Sequence, residues 1–448
     1  MKIASWVRLA LGLVALRLVL MATMPVFEPS EARYAAISAN MARSGDFVVP
    51  HFTHNLEYQS FDGKPPLVFQ AGGLFCRCLG VNEFSVRLFP FLSALLVLAI
   101  LYHSLARRSD RATAWLGVAV CATSTAFYVA SGVSMTDMTL TCCVAGALLL
   151  YRTFIDESER IAVVRGSQSR ALAYAAAVMA LMGAGMIVKG PVALVMFGLP
   201  AVVDAAVNRR WRMIFNWRWL AALPIFMAVA VPWFVLIEQR NPGSVAYFFY
   251  NENFLRFVSH DYGDRYGAGR EAFRGVSILW AMAATLPWSL LPLAKGFARW
   301  RASGWRTALA AVRPRSFEFC AAMAIVGFWC LTSRVLVYYL FPMIPLFAAW
   351  LALCGPRQAV MRMLMPSAVI TALATVAALA GGMAFSDKMA GAKTPFEPLE
   401  NHYAYEFYHG RPSDELLAKA REFRAQYEER RRLRHAARAL KAKKEGEQ

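Results

Sequence analysis

"PSEARYAAISANMARSGDFVVP", residues 29–50, follows directly on a first apolar segment, and its reading decides what kind of membrane protein this chain is. The stretch is too polar to span a bilayer and too well patterned for a slack linker. Ser30 suits a helix N-cap, and Glu31 at the first helical position complements the positive end of the helix dipole. Gly45 then stops the helix after Met41 and Arg43. The expectation is a helix lying along the membrane surface. Arg33, beside Tyr34, sits in that first turn against the dipole, and helix formation alone does not explain it.

The chain around this stretch is built for a bilayer. Of its 448 residues 58 % are hydrophobic and only 17 % charged, against about 25 % charged in an ordinary soluble protein. The apolar residues come in blocks, several of about 18 residues or more, enough to cross roughly 30 Å of hydrocarbon. Block 6–26 is longer than the apolar core of a secretory signal, contains Arg17 and is followed by no small-residue cleavage pattern. It reads as a retained transmembrane helix. Ten further blocks lie at 85–105, 112–131, 138–155, 171–188, 191–207, 219–237, 274–294, 317–332, 335–353 and 364–385. The predicted fold class is an all-α polytopic membrane protein with about eleven transmembrane helices in residues 1–385.

A net charge of +19 would suggest a nucleic-acid partner if the charge covered one surface. Instead the cations gather in alternate loops, at 107–111, 152–170, 209–218 and 295–315. That is the positive-inside pattern, and it excludes nucleic acid as the reason for the charge. It puts the N-terminus in the cytoplasm and the two longest loops, 27–84 and 238–273, on the outer side of the membrane. The eight cysteines give no disulfide or zinc framework: most lie in apolar segments, and Cys76 and Cys78 have no second pair.

Both long loops are too apolar and aromatic for disorder. In the first, Pro65 suits the start of a second surface helix running to Leu79. Residues 386–448 form a different material, an aromatic, Pro-containing start and then a charged helical run from Ser413. Eleven crossings would leave this tail outside, although its Arg and Lys content would prefer the cytoplasm.

With this orientation the unusual polar residues fall on one side: Glu31 and Arg33; Asp62 and Lys64; Asp137; Lys189; Glu252, Asn253 and Arg256; and Arg334 near Tyr339. Each has a local explanation as a cap, a snorkelling chain or a hairpin anchor. Their agreement on one face points to a site, because ionisable groups near membrane depth are costly. The Arg and Lys residues suit a phosphate. Glu31 and Asp137 suit proton acceptance or steadying of an oxocarbenium-like centre.

At this point the sequence resembles a known family. The opening stretch, continued by "FDGKPPLVFQAGGLFCRCLGVNEFSVRLFPFLSALL", is similar to the first outer loop and second helix of bacterial lipid-linked-sugar glycosyltransferases. These are the aminoarabinose transferases and their relatives in the protein-mannosyltransferase superfamily, of GT-C architecture. "VSMTDMTLT", "GMIVKGPVALV", "YFFYNENFLRF" and "SRVLVYYLFPMIPLFA" follow in the same order, so the resemblance covers about residues 6–355. It implies a polyprenyl-phosphate sugar as donor, undecaprenyl phosphate as carrier, and a lipid or glycan acceptor such as lipid A on the periplasmic side. It implies that Arg33, Lys64 and Tyr339 hold the carrier phosphate and that Asp137 stands at the active cavity. Arg334, Arg256 and Lys189 join the donor-binding set, with Asp62, Glu252 and Asn253 as further cavity residues.

The departures are specific. Relatives often carry Asp-Glu where Ser30-Glu31 stands, which puts the base role on Glu31. Aminoarabinose enzymes have Glu-Lys-Pro at Asp62-Gly63-Lys64-Pro65 and Glu-His at Glu252-Asn253. Their metal-associated Glu and His are both replaced here, so no cofactor is assigned. The expected function is a glycosyltransferase. A flippase for a lipid-linked sugar shares the cationic cavity, but the chain lacks the internal repeats usual in transporters. A non-catalytic subunit of envelope assembly is the remaining class.

Overall fold

A computed structural model describes residues 3–164, 167–258, 266, 272–311, 316–390 and 403–445. Most of the expected outer stretch 259–271, the aromatic start of the tail at 391–402, and Arg165, Arg313 and Arg315 lie outside the described residues.

The protein is a multi-pass helical membrane protein, and its one strand pair among the described residues is a short hairpin. Among the described residues six helical stretches are long and apolar enough to cross a bilayer: Glu83–Arg108, Thr136–Ile161, Gln168–Lys189, Pro191–Asn208, Trp211–Arg240 and Arg357–Gly381. Five shorter apolar helices accompany them, Leu67–Leu79 among them. Glu83–Arg108 and Thr136–Val164 pack side by side, and the second is almost wholly enclosed by its neighbours. Its residues Val144, Ala145, Ala147, Leu148 and Leu149 are fully buried. Small residues there let neighbouring helices approach closely, which is how packing replaces the hydrophobic effect inside lipid.

Two of the expected crossings are broken. Segment 112–131 splits into Arg111–Ala122 and Thr125–Ala130, and 274–294 splits into Val276–Ala284 and a helix beginning at Leu290. The breaks face each other and satisfy one another's polar groups. The amide of Thr125 donates to Leu286 O at 2.9 Å, Trp288 Nε1 donates to Thr123 Oγ1 at 3.0 Å, and Thr371 Oγ1 donates to Thr123 O at 2.7 Å. Unpaired backbone in hydrocarbon is expensive, so a broken helix survives only where protein supplies its partners. Pro287, which has no amide hydrogen to donate, marks one break.

The first long loop folds into elements of its own. Helix α1 (Ile3–Thr23) leads to α2 (Ser30–Ser44), then the hairpin β1 (His51–His54) and β2 (Glu57–Ser60), then α3 (Leu67–Leu79). Helix α2 starts one residue earlier than expected: Ser30 is helical, Pro29 occupies the cap position, and no side chain caps the turn. Glu31 Oε2 instead reaches back to accept the amide hydrogen of Phe27, ahead of the helix, at 3.0 Å. Gly45 stops the helix as expected, with φ 75° and its amide bonded to Met41 O. The hairpin was not anticipated; Asn55 and Leu56, both at positive φ, make its tight turn.

The C-terminal tail folds back onto this loop. Helix Tyr403–His409 lies along α2 and buries Phe407 completely. Its Glu406 carboxylate accepts from Asn40 Nδ2 (2.8 Å), the Thr53 amide (2.8 Å) and Thr53 Oγ1 (3.2 Å). Arg43 donates to the carbonyls of Glu406 (3.1 Å) and Phe407 (2.7 Å) at the helix end, where carbonyls lack helical partners. Glu28 accepts the amide of Ala404 at 2.6 Å, and burial pushes its carboxyl up to about 7. A last helix, Asp414–Glu445, carries the charged run.

Candidate active site

One cavity of about 320 Å³ opens where the first outer loop, the end of Gln168–Lys189, the segment Tyr247–Val258 and the segment after Phe328 meet. Sequence places its chemistry at element ends. Lys189 is the last residue of its helix, and Gly190 turns the chain with φ 78°. A Cβ at Gly190 would collide with the Phe248 ring, so the Lys-Gly-Pro turn depends on glycine there. Residues 247–255 form a widened helical turn of the π type, a form often found at functional sites. It brings Glu252, Asn253 and Arg256 to one wall.

Seven of the expected residues line this cavity: Lys64, Lys189, Glu252, Asn253, Arg256, Arg334 and Tyr339. Four are cations and only one is a carboxylate, which is paired. Glu252 Oε2 accepts from Arg256 at 2.9 Å and its Oε1 accepts from Tyr247 Oη at 3.2 Å. Asp137 joins the site through Lys189, whose Nζ donates to Oδ1 at 2.5 Å. The other carboxylate oxygen, Oδ2, is buried without a hydrogen-bond partner. Lys189 Nζ also lies 4.4 Å from the centre of the Tyr339 ring, and Arg256 donates to Tyr339 Oη at 3.5 Å. The excess of cations makes the cavity an anion receptor. Pro191, Val192, Val195, Phe254 and Phe328 give it an apolar side.

Lys64 is held by Tyr34, donating to its hydroxyl and lying 4.8 Å from its ring centre. Tyr34 is itself packed on Phe61 and Phe69. Burial, with the nearby Lys189 charge, lowers the Lys64 ammonium to about 8, against the pull of Asp137 and Tyr339.

Three expected residues stand elsewhere. Glu31 is not a cavity residue: it is 3 % exposed, and both oxygens are occupied. Oε1 accepts from Arg87 Nε (2.8 Å) and the Ser134 amide (2.9 Å), and Oε2 accepts from Arg87 (3.0 Å) and the Phe27 amide. A carboxylate so saturated by a guanidinium is a poor base, which corrects the catalytic role expected for it. Arg33 does not line the cavity either. Its guanidinium lies 5.0 Å from the Tyr403 ring centre and donates to Tyr266 O at 3.3 Å, binding the tail and the second outer loop to α2. Asp62 is a staple, with Oδ1 accepting from Asn241 Nδ2 (3.0 Å) and Ser244 Oγ (2.9 Å).

The donor chemistry does not fit a divalent metal. Glu252 already faces a guanidinium, Asn253 donates its amide to Phe248 O at 2.8 Å, and Asp62 is engaged away from them. Among the described residues no three His, Cys, Asp or Glu side chains assemble.

Arg87 and the tail contacts escaped the sequence reading. Arg87 carried a usable signal, a lone cation inside the first turns of an apolar helix. Glu406 carried none, because its partners are about 350 residues away in sequence.

Known proteins resemble this chain in sequence and in fold. Over 259 residues the chain is 30 % identical to an undecaprenyl phosphate-alpha-4-amino-4-deoxy-L-arabinose arabinosyl transferase of Edwardsiella ictaluri, covering 57 % of this chain and 44 % of that protein. The same enzyme of Pectobacterium atrosepticum is 27 % identical over 338 residues, covering 74 % and 56 %. The chain thus spans about half the length of the curated relatives it matches. The crystal structure of ArnT from Cupriavidus metallidurans bound to undecaprenyl phosphate superposes with a TM-score of 0.65, at 23 % identity, over 91 % of this chain and 76 % of that one. It shows the shared fold, the GT-C architecture expected from the sequence. Residues 5–248, more than half of the chain, match the sequence model of the dolichyl-phosphate-mannose-protein mannosyltransferases, and the chain belongs to that family.

Proposed function

We propose that this protein is a glycosyltransferase that takes a sugar from a polyprenyl-phosphate carrier, undecaprenyl phosphate, and gives it to an envelope acceptor on the periplasmic side of the inner membrane. The observation that carries the reading is the convergence of Lys64, Lys189, Arg256 and Arg334 on one cavity with an apolar side. In this reading the bond between the anomeric carbon and the phosphate oxygen breaks, and the phosphate leaves with the electron pair. Fixed cations at that oxygen stabilise the charge that develops, usually the largest part of such a rate enhancement. Tyr339 and Arg256 steady the phosphate, and the apolar side receives the start of the prenyl chain. The unpartnered Oδ2 of Asp137 is the acceptor for the proton of an incoming hydroxyl. The acceptor is an envelope glycolipid or glycan, with lipid A the first one to test.

Purified protein in liposomes supplied with a polyprenyl-phosphate sugar and lipid A is the direct test. Free carrier phosphate and a glycosylated lipid appear together if the reading holds. Movement of intact donor across the bilayer, with no carrier released, would identify a flippase instead. The charge on Lys64 adds a pH test. Below pH 8 its ammonium is mostly present and attracts the phosphate; as pH rises through 8 it is lost. Undecaprenyl phosphate binding should therefore weaken about tenfold between pH 7 and 9, as measured by titration in detergent. An unchanged affinity would take Lys64 out of the phosphate site.

A further inference from the structure

The last helix, Asp414–Glu445, is anchored near its start. Near its start Leu417 and Ala420 are buried against Leu56 in the turn of the outer hairpin, and Arg411 lies 4.4 Å from the Tyr58 ring centre. Further along, Arg421, Glu422, Arg424, Glu428 and Arg432 are all exposed. The charges are unevenly divided along it. In the first half, cations are matched by acids one turn away, Lys419 with Glu415 (2.6 Å) and Arg424 with Glu428 (3.2 Å). Residues 430–444 contain five Arg and three Lys and no Asp or Glu, so within this stretch the charge is of one sign.

The anchor fixes which side the helix is on. It sits on the first outer loop, which also supplies Lys64 to the cavity, so the helix emerges on the cavity side of the protein. Cations there run against the positive-inside bias of the rest of the chain. At 1.5 Å per residue the helix reaches about 48 Å from its root. The bilayer that holds the protein is an extended anionic surface to which the arm is tethered by the rest of the chain.

We infer that the distal half of this helix is an arm that binds anionic phospholipid headgroups of the leaflet on the cavity side. Its cations neutralise headgroup phosphates that the first half, already paired, leaves alone. A soluble polyanion is the other class of partner, and it lacks the tether that makes the membrane contact effectively intramolecular.

The test uses the full chain in nanodiscs of phosphatidylcholine alone or with phosphatidylglycerol added to about one third. Amide hydrogen exchange over 430–444 should be about tenfold slower in the anionic discs and return to the neutral-disc rate in ~0.5 M salt. A variant with R430Q, R431Q, R432Q and R434Q keeps helix propensity, since Gln and Arg are similar formers. It should exchange equally in both discs while α2 and the hairpin keep their protection. Equal exchange of the wild-type arm in the two lipids would overturn the inference. Slowing in neutral discs only when heparin is added, with no effect of phosphatidylglycerol, would overturn it in favour of a soluble partner.

Discussion

Replacing Lys64 with alanine abolishes sugar transfer while the helix bundle stays folded. Lys64 is the cation that the first outer loop contributes to the cavity, and its fixed position comes from Tyr34 rather than from a carboxylate. Lys189 and Glu252 are each tied to a charged partner, Asp137 and Arg256, but among the described residues no ion pair holds Lys64. Its charge is therefore available to an incoming phosphate. Removing one preorganised donor at a developing oxyanion costs about a hundred- to a thousandfold in kcat, and that is the expected loss in carrier release. Stability should not fall, because burying the ammonium is itself costly, as its pKa near 8 shows. Arginine should not rescue, since a planar fork does not replace a point charge seated on the Tyr34 ring. A Lys64→Ala protein that released carrier at the wild-type rate would remove the cavity's phosphate role.

Changing Glu31 or Arg87 singly unfolds the outer half of the protein instead of merely slowing it. The pair is 2 % exposed on both sides. Arg87 also donates to the carbonyls of Met21 (3.1 Å), Met24 (2.5 Å) and Pro25 (2.7 Å), where α1 ends and has no helical donors left. Glu31 meanwhile holds the Ser134 amide, three residues before Asp137. One ion pair therefore ties α1, α2, Glu83–Arg108 and the turn carrying Asp137. Breaking such a pair by removing one partner costs about 3–5 kcal/mol, because the other charge is left buried and uncompensated. Glu31→Gln and Arg87→Met should each lose that much in unfolding titrations, and the double variant less than the sum. A Glu31→Gln protein of wild-type stability but no activity would return Glu31 to the chemistry.

The bundle and most cavity residues were legible because hydropathy and residue type are local signals. Lys189 and Arg334 stand at the ends of apolar blocks and Lys64, Glu252 and Arg256 in the two long loops, and topology alone puts all five on one side. The roles of Glu31 and Arg33 were not legible. Both sit in the right turn, yet α2 presents them to different neighbours from those that line the cavity: Arg87 for one, Tyr403 and Tyr266 for the other. The broken crossings were invisible for a related reason. Hydropathy averages over 112–131 and 274–294, whereas the breaks depend on partners that meet only in three dimensions.

The tail's grip on the outer loop has a consequence for biogenesis. Arg43 reaches Glu406 across 363 positions, and the Glu28 contact spans 376. Helices can insert one after another as the ribosome delivers them, but α2 and the hairpin wait for Tyr403–His409 to cover them. A loop made early in synthesis is thus completed only by a segment delivered about 360 residues later.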